Sequence, residues 1–285
     1  MAQLLSSGFS RLFKNRLFWI CNILMSAFFI LVILMNYRNM KKVPDLYHYT
    51  GSTFMFAPLQ VIGVFISCFT GMFLGTEYRD GTLRNKVIIG RSRTEIYLSN
   101  LIVCFTASLV TSITSILTTF AAGIFFFGAE GIEAVQILKC FGISILMLAA
   151  FTGIFTLFSM LIPSRSAGSM INILFFFVLV IAANYILARL DEPQMITTRY
   201  TFTIDDELQA AEVISNPEMI PNPYYLEGAA RKFYEFFRDL LPTSQGSLLM
   251  IQEMEHPVIM ALCSLGLMAC TTVSGVFHFR RKDLK

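Results

Sequence analysis

Long apolar runs alternate with short polar segments along the chain, and six of these runs are long enough to cross a membrane. We predict spans at about residues 17–37, 53–75, 95–127, 137–162, 169–190 and 257–279. A bilayer core of about 30 Å needs roughly 20 apolar residues in an α-helix. The pattern therefore predicts an all-α integral membrane protein with six transmembrane helices, the third of which must tilt or project beyond the bilayer.

Two segments outside these spans have the periodicity of amphipathic helices. The first lies at residues 1–16, where we expect a helix in the membrane interface, with chance periodicity in a frayed tail as the alternative. Its apolar positions are Leu4, Leu5, Phe9, Leu12 and Phe13. The second lies before the last span, where the apolar positions include Phe233, Phe236, Phe237 and Leu240. Arg231, Glu235, Arg238 and Asp239 occupy its opposite face, an Arg231–Glu235 pair is expected, and Pro242 is predicted to end the helix.

The composition agrees with a membrane protein. Of the 285 residues, 55% are hydrophobic and 14% are charged, whereas soluble domains carry about 25% charged residues. The six cysteines lie inside apolar runs and form no CxxC pair, so we interpret them as small packing residues. The three histidines have no ligand spacing, and we predict no metal site.

The distribution of basic residues predicts that both termini are cytoplasmic. In this orientation the inner segments hold 13 of the lysine and arginine residues and the outer segments hold 9. Arg38, Lys41 and Lys42 would lie outside in this orientation, which is contrary to the rule. The basic residues of the later loops favour the cytoplasmic assignment of both termini. The 191–256 segment would then be extracellular, and the 257–285 segment would comprise the last span and a basic cytoplasmic tail.

Several motifs are absent from the sequence. It contains no GxxxxGK[ST] phosphate loop, and no span has an acidic or basic residue near its middle, as ion-coupled carriers generally require. It also lacks GxSxG and HExxH motifs. If the chain transports a molecule, we expect the energy to come from another subunit.

The polar link between the second and third spans is the most informative segment. Asp80-Gly81 is a turn signal, Thr82 is expected to cap a short helix at 83–89, and Gly90 is expected to end it. Ser92 and Glu95 have the spacing of a capping box that starts the third span. A rigid helix of this kind can transmit force from a cytoplasmic partner. The residues alone are equally compatible with a basic loop that follows the positive-inside rule.

This link resembles the coupling segment of ABC transporter permeases of the type-2 exporter class. The similarity is carried by EYRDGTLRNK at 77–86 and GRSR at 90–93, and it is closest to Firmicute permeases grouped with bacitracin and lantibiotic export or immunity. The ending FRRKDLK at 279–285 is similar to that group as well. So is LPTSQ at 241–245, although the family more often has glycine before this glutamine.

The resemblance implies a six-span permease with an N-terminal elbow helix, a coupling helix near 76–95 and an extracellular helical cap. Two permeases, identical or related, would pair with two P-loop ATPase subunits, which would bind ATP and Mg²⁺. This chain would need no cofactor and no nucleic acid. The residues at or near the ATPase contact would be Glu77, Arg79, Asp80, Gly81, Thr82, Leu83, Arg84, Asn85 and Lys86.

The resemblance also implies a transport path flanked by the second and fifth spans. The candidate path residues are Gln60, Phe65, Phe69, Phe176, Phe177 and Asn184, with aromatic residues facing lipid as the alternative. The candidate cap residues are Phe233, Phe236, Phe237 and Leu240. In the third span Ser108, Thr111, Ser112, Ser115, Thr118 and Thr119 share one side; we favour helix packing over a polar path for them.

The sequence is therefore interpreted as the non-enzymatic membrane subunit of an ABC exporter in the bacterial plasma membrane. An amphipathic substrate is expected, such as an antimicrobial peptide or a hydrophobic drug, with a role in resistance. One alternative is a membrane sensor or immunity protein that binds a peptide without transporting it. Another is a membrane-embedded enzyme. A neighbouring ATPase gene would favour the exporter. A neighbouring histidine kinase gene without an ATPase gene would favour the sensor, and catalysis in the membrane without an ATPase would favour the enzyme.

Overall fold

The computed structural model describes residues 1–43, 48–129, 133–197, 202–204, 211–213 and 219–282. Ten α-helices account for most of these residues. They are α1 Ala2–Phe13, α2 Arg16–Lys42, α3 Pro58–Arg79, α4 Thr82–Ile88, α5 Arg93–Phe127, α6 Ala134–Leu161, α7 Arg165–Leu190, α8 Gly228–Leu240, α9 Pro242–Ile251 and α10 Pro257–Arg281.

Six of these helices, α2, α3, α5, α6, α7 and α10, are long and apolar enough to cross a membrane within the described part of the chain. Each corresponds to one predicted span, so the six-span prediction is confirmed. The observed helices extend the predicted ones by a few residues at several ends, because polar residues such as those at 38–42 and 76–79 continue the helix beyond its apolar part.

Local residues explain where several helices begin. The Asn15 side chain accepts a hydrogen bond from the backbone N–H of Leu17 at 2.9 Å and caps α2. Proline occupies the first turn of α3, α9 and α10. Backbone N–H groups in the first turn have no partner within the helix, so the missing N–H of proline costs no hydrogen bond there. Pro242 therefore starts α9 directly after α8 ends.

Between α7 and α8 the described chain forms short strands. They are β1 Met195–Thr197, β2 Phe202–Ile204, β3 Ala211–Val213 and β4 Met219–Pro221. β1 pairs antiparallel with β4, with Ile196 opposite Ile220, and β2 pairs antiparallel with β3. The sequence analysis gave no fold for this acidic, proline-containing segment.

The membrane-length helices form an inner and an outer group. α3 and α6 are the most buried, whereas α2, α7 and α10 leave most of their apolar side chains exposed. Apolar faces of this kind are compatible with lipid or with another membrane helix. The bundle therefore has a protein interior around α3, α5 and α6, and an apolar surface on three sides.

Glycine residues allow α3 and α7 to approach each other closely. A Cβ atom at Gly71 would lie 2.6 Å from the Cα atom of Ser169, and one at Gly75 would lie 2.5 Å from the Cα atom of Arg165. At Gly63 the nearest atoms belong to the Phe176 ring, which is a side chain. No larger residue fits at Gly71 or Gly75 without separating the helices. The approach also places Arg165, the start of α7, next to the end of α3 that leads into α4.

α8 contacts the bundle through two charged residues of its polar face. Arg238 and Asp239 are buried, while Phe233 is 61% and Phe236 50% exposed. Arg238 and Asp239 thus face the bundle and Phe233 and Phe236 point away from it, while Phe237 and Leu240 are half-buried. The reason is that Arg238 has partners there: its guanidinium donates to Glu255 at 2.6 Å and to Asp239 at 3.1 Å. The expected Arg231–Glu235 pair is present at 3.0 Å.

Candidate functional site

α4 is connected to α3 by a tight turn at Asp80 and Gly81. Gly81 has φ +65°, a left-handed conformation that glycine adopts at little cost. It occupies the N-cap position, so the prediction that Thr82 caps the helix is wrong, and the helix begins at Thr82 itself. The Thr82 hydroxyl instead donates to the backbone carbonyl of Glu77 at 3.2 Å and closes the turn.

A second tight turn connects α4 to α5. Gly90 has φ +87°, and the N–H of Arg91 donates to the carbonyl of Lys86 at 3.1 Å, as in a glycine-terminated helix. The Ser92 hydroxyl then accepts from the N–H of Glu95 at 3.2 Å and caps α5. This is one half of the expected capping box, because the Glu95 carboxylate lies 3.2 Å from the amino group of Met1 instead.

The carboxylate of Glu77 lies buried at the centre of this region, with 2% of the side chain exposed. One oxygen lies 2.7 Å from Arg11 Nη1 of α1 and 2.6 Å from Lys86 Nζ of α4. The other accepts a hydrogen bond from Asn100 Nδ2 of α5 at 2.8 Å. Since Glu77 belongs to α3, one side chain connects four helices. The Arg11 guanidinium also covers the Phe73 ring at 3.9 Å.

Apolar and polar contacts extend this connection to the remaining helices at the same end of the bundle. Leu83 of α4 is buried in a cluster that includes Leu4 and Leu12 of α1. Tyr78 donates a hydrogen bond to the carbonyl of Met160 in α6. Lys282, directly after α10, donates to the Tyr78 hydroxyl at 2.8 Å. Displacing α4 therefore acts on α1, α3, α5, α6 and α10 together.

The outer surface of α4 has a different character. Arg84 and Asn85 are exposed, and Ile88 and Ile89 are 71% and 77% exposed. Two adjacent aliphatic side chains of this exposure, next to basic residues, form a surface suited to a partner protein. Before the helix, a hydrogen bond from Arg79 at 2.9 Å lowers the pKa of the exposed Asp80 carboxyl below its usual range.

The structure thus divides the nine predicted coupling residues into three groups. Glu77, Leu83 and Lys86 point inward and support α4, whereas Arg79, Asp80, Arg84 and Asn85 are exposed. Gly81 and Thr82 form the turn. Arg11 and Asn100 were not predicted as partners of Glu77, since neither is near it in the chain. Ile88 and Ile89 were not among the predicted contact residues. A polar Asn100 one turn inside an apolar span was an available signal.

The candidate path residues do not lie together. Phe69 and Phe176 are buried, and Phe69 stacks with Phe65 at 5.5 Å, so these aromatic residues contribute to the core of the chain. Gln60 and Asn184 are exposed and line one small cavity of about 30 Å³ between α3, α7 and α9. Phe177 is 50% exposed.

The hydroxyl residues of α5 lie mostly at helix contacts, as favoured above. Ser108, Thr111, Ser112, Ser115 and Thr119 are at most 2% exposed. Ser108 lies 3.1 Å from the Thr152 hydroxyl of α6, and Thr119 donates to the carbonyl of Met55 at 2.9 Å. In the described part of the chain no group of three or more His, Cys, Asp or Glu residues is arranged to hold a metal ion.

Six membrane-length helices, with a short helix fixed by turns between the second and third, define a multi-pass membrane protein. Residues 4–183 match the model of the family described as ABC-2 family transporter protein. This match spans more than half of the chain and includes α1, α4 and Glu77. The chain therefore belongs to the ABC-2 family, as a membrane permease subunit of an ABC transporter. No curated protein matches the chain.

Proposed function

We propose that this permease belongs to an ATP-driven exporter, and that α4 receives the movement of a P-loop ATPase and passes it to the bundle through Glu77. Members of the ABC-2 family normally pair with an ATPase subunit, which supports such a partner. ATP and Mg²⁺ would bind to that subunit. The exposed surface of Arg84, Asn85, Ile88 and Ile89 is the docking surface in this proposal.

The contacts of Glu77 carry the proposal. α4 is held by a turn at each end, so it moves as a rigid body with the ends of α3 and α5. Moving it away from α1 or α5 would leave a buried charge without its partners, and breaking a buried ion pair costs about 3–5 kcal/mol. A force on α4 is therefore expected to tilt the helices that contact Glu77 rather than to separate α4 from them.

The remaining parts of the proposal concern assembly and substrate. Two permeases with two ATPases would be placed in the bacterial plasma membrane, with α4 on the cytoplasmic side. The exposed apolar faces of α2, α7 and α10 would meet lipid or the second permease. The substrate would be an amphipathic molecule moved outward, such as an antimicrobial peptide. The 191–256 segment would act as a cap, with Phe233 and Phe236 directed at the membrane or the second permease.

The substitution Glu77→Gln tests the coupling role. It preserves the size of the side chain and its hydrogen bond to Asn100, but it removes both ion pairs. Arg11 and Lys86 are 33% and 19% exposed and can turn toward solvent. We expect the ATPase to remain bound and to hydrolyse ATP, while transport per ATP hydrolysed falls several-fold in reconstituted vesicles.

The matched control is Glu133→Gln, which removes an exposed carboxylate before α6. It should leave the ratio of transport to hydrolysis unchanged. Full coupling in a correctly folded Glu77→Gln variant would contradict the proposed role of Glu77. ATP-independent binding of a peptide, with no ATPase in the purified complex, would support the sensor or immunity alternative instead.

A further inference from the structure

A recess of about 360 Å³ opens at the end of the bundle opposite α4. It lies between the last turn of α7, the helices α8 and α9, and the segment that leads into α10. This volume is within the range of about 300–1,000 Å³ that is typical of small-molecule sites. None of the candidate coupling or path residues lines it, nor do Phe233, Phe236, Phe237 or Leu240, but most of its lining belongs to the 191–256 segment.

The recess has apolar walls. They are formed by Leu187 and Leu190 of α7 and by Leu248 and Ile251 of α9. Ile251 is 56% exposed, although it is a large aliphatic residue. An aliphatic group of a ligand would bury these side chains and gain about 25 cal/mol per Å² of apolar surface removed from water.

The charged groups of the recess leave an excess of negative charge. Arg231 is paired with Glu235, and Arg238 is paired with both Asp239 and Glu255. The carboxylates of Asp191 and Glu253 line the same recess and have no ion-pair partner among the described residues. An anionic ligand would have to displace existing pairs, whereas a cation would meet two unpaired carboxylates.

A second, smaller cavity with uncharged polar groups lies next to the recess. Ser247 lines both the recess and the small cavity that contains Gln60 and Asn184. That cavity, about 30 Å³, is large enough for roughly one water molecule. The described carboxylates are not arranged to hold a metal ion, so an organic cation fits the charge and the walls together.

We propose that this recess binds the cationic end of an amphipathic molecule, with its ammonium group between Asp191 and Glu253 and its aliphatic part against Leu187, Leu248 and Ile251. Binding of such a molecule to the recess does not require transport. The further conclusion, that this molecule represents the class of substrate that is transported, rests on the proposed function.

The test measures binding to the purified full chain in phosphatidylcholine nanodiscs, without any ATPase. The probes are octylammonium, octyl sulfate and octyl glucoside, which share one chain and differ in head-group charge, and empty nanodiscs provide the blank. We expect saturable binding of octylammonium alone. The double variant Asp191→Asn/Glu253→Gln should weaken it about tenfold or more, as expected when two charge-assisted contacts are lost.

Asp191 and Glu253 are exposed, so the double variant should fold, which its elution profile and thermal unfolding will show. Glu133→Gln is the matched control and should bind octylammonium like the native chain. Three results would overturn the inference: no saturable binding of octylammonium, equal binding of octyl sulfate, or full affinity in the double variant. Since no ATPase is present, none of these results tests whether an ATPase docks on α4. Conversely, evidence against ATPase docking would not change the measured binding of octylammonium.

Discussion

Glu77 and Arg238 are buried charged residues near opposite ends of the bundle, and each has at least one opposite charge from another segment beside it. Glu77 contacts Arg11 and Lys86, and Arg238 contacts Asp239 and Glu255. Buried charges persist in proteins only where they are paired and hydrogen-bonded. These two residues therefore fix the positions of α4 and α8 against the bundle more specifically than apolar contacts would.

Substitutions in α8 should show this directly. Arg238→Met leaves the buried Asp239 without its guanidinium partner, and the free energy of unfolding should fall by roughly 1–3 kcal/mol. The double substitution Phe233→Ser/Phe236→Ser changes exposed residues and should alter stability by no more than about 0.5 kcal/mol. Thermal unfolding of the detergent-purified chain measures both. A larger loss from the phenylalanine pair would mean that the apolar face of α8 is packed on the bundle.

The Arg238–Glu255 contact should also respond to pH. The hydrogen bond from Arg238 lowers the pKa of Glu255 in the folded chain. Its stabilising contribution is therefore present above the ordinary carboxyl pKa and is lost as the pH falls through the lowered value. Melting temperatures measured from about pH 7 to about pH 3 should decline more for the native chain than for Glu255→Gln. Parallel curves for the two proteins would contradict this.

At the scale of elements, the close contact of α3 with α7 is the clearest constraint. It depends on glycine, because a Cβ at Gly71 would meet the backbone of Ser169, which cannot rotate away. We expect Gly71→Ala to destabilise the chain by about 1–3 kcal/mol. In contrast, Gly142 of α6 has open space around its Cβ position. Gly142→Ala should be neutral or should stabilise the helix by about 0.5–1 kcal/mol. Equal changes in the free energy of unfolding for Gly71→Ala and Gly142→Ala, measured by chemical or thermal unfolding, would contradict the close contact of α3 with α7.

The sequence predicted the elements better than their contacts. Apolar length determines a membrane helix, so all six were predictable, and the turn residues Gly81 and Gly90 marked the ends of α4. Amphipathicity did not predict which face of α8 contacts the bundle, because the apolar side chain of Phe233 can be placed in lipid as well as in a protein core. Two of the three partners of Glu77 come from α1 and α5, and nothing in local periodicity relates Arg11 to a carboxylate 66 residues away.

For the whole molecule, the distribution of basic residues predicts the orientation in the membrane. A cysteine introduced at Arg84 should be cytoplasmic, and one at Glu227 should be extracellular. In a background without the six native cysteines, an impermeant thiol reagent added to intact cells should label position 227 and spare position 84. Labelling in the opposite pattern would reverse the topology and would place α4 where no ATPase could reach it.

The central claim is that an ATPase docks on the exposed surface of α4, and co-purification from native membranes tests it most directly. The native chain should retain a P-loop ATPase identified by mass spectrometry. Ile88→Asp/Ile89→Asp should lose it, because two charges replace apolar groups of the docking surface. Ile88, the last residue of α4, and Ile89, which follows it, are exposed, so the fold should remain intact. Met219→Asp, at a 69% exposed position of β4, should retain the ATPase. A native chain that purifies without any P-loop ATPase, or an α4 variant that keeps it, would contradict the account.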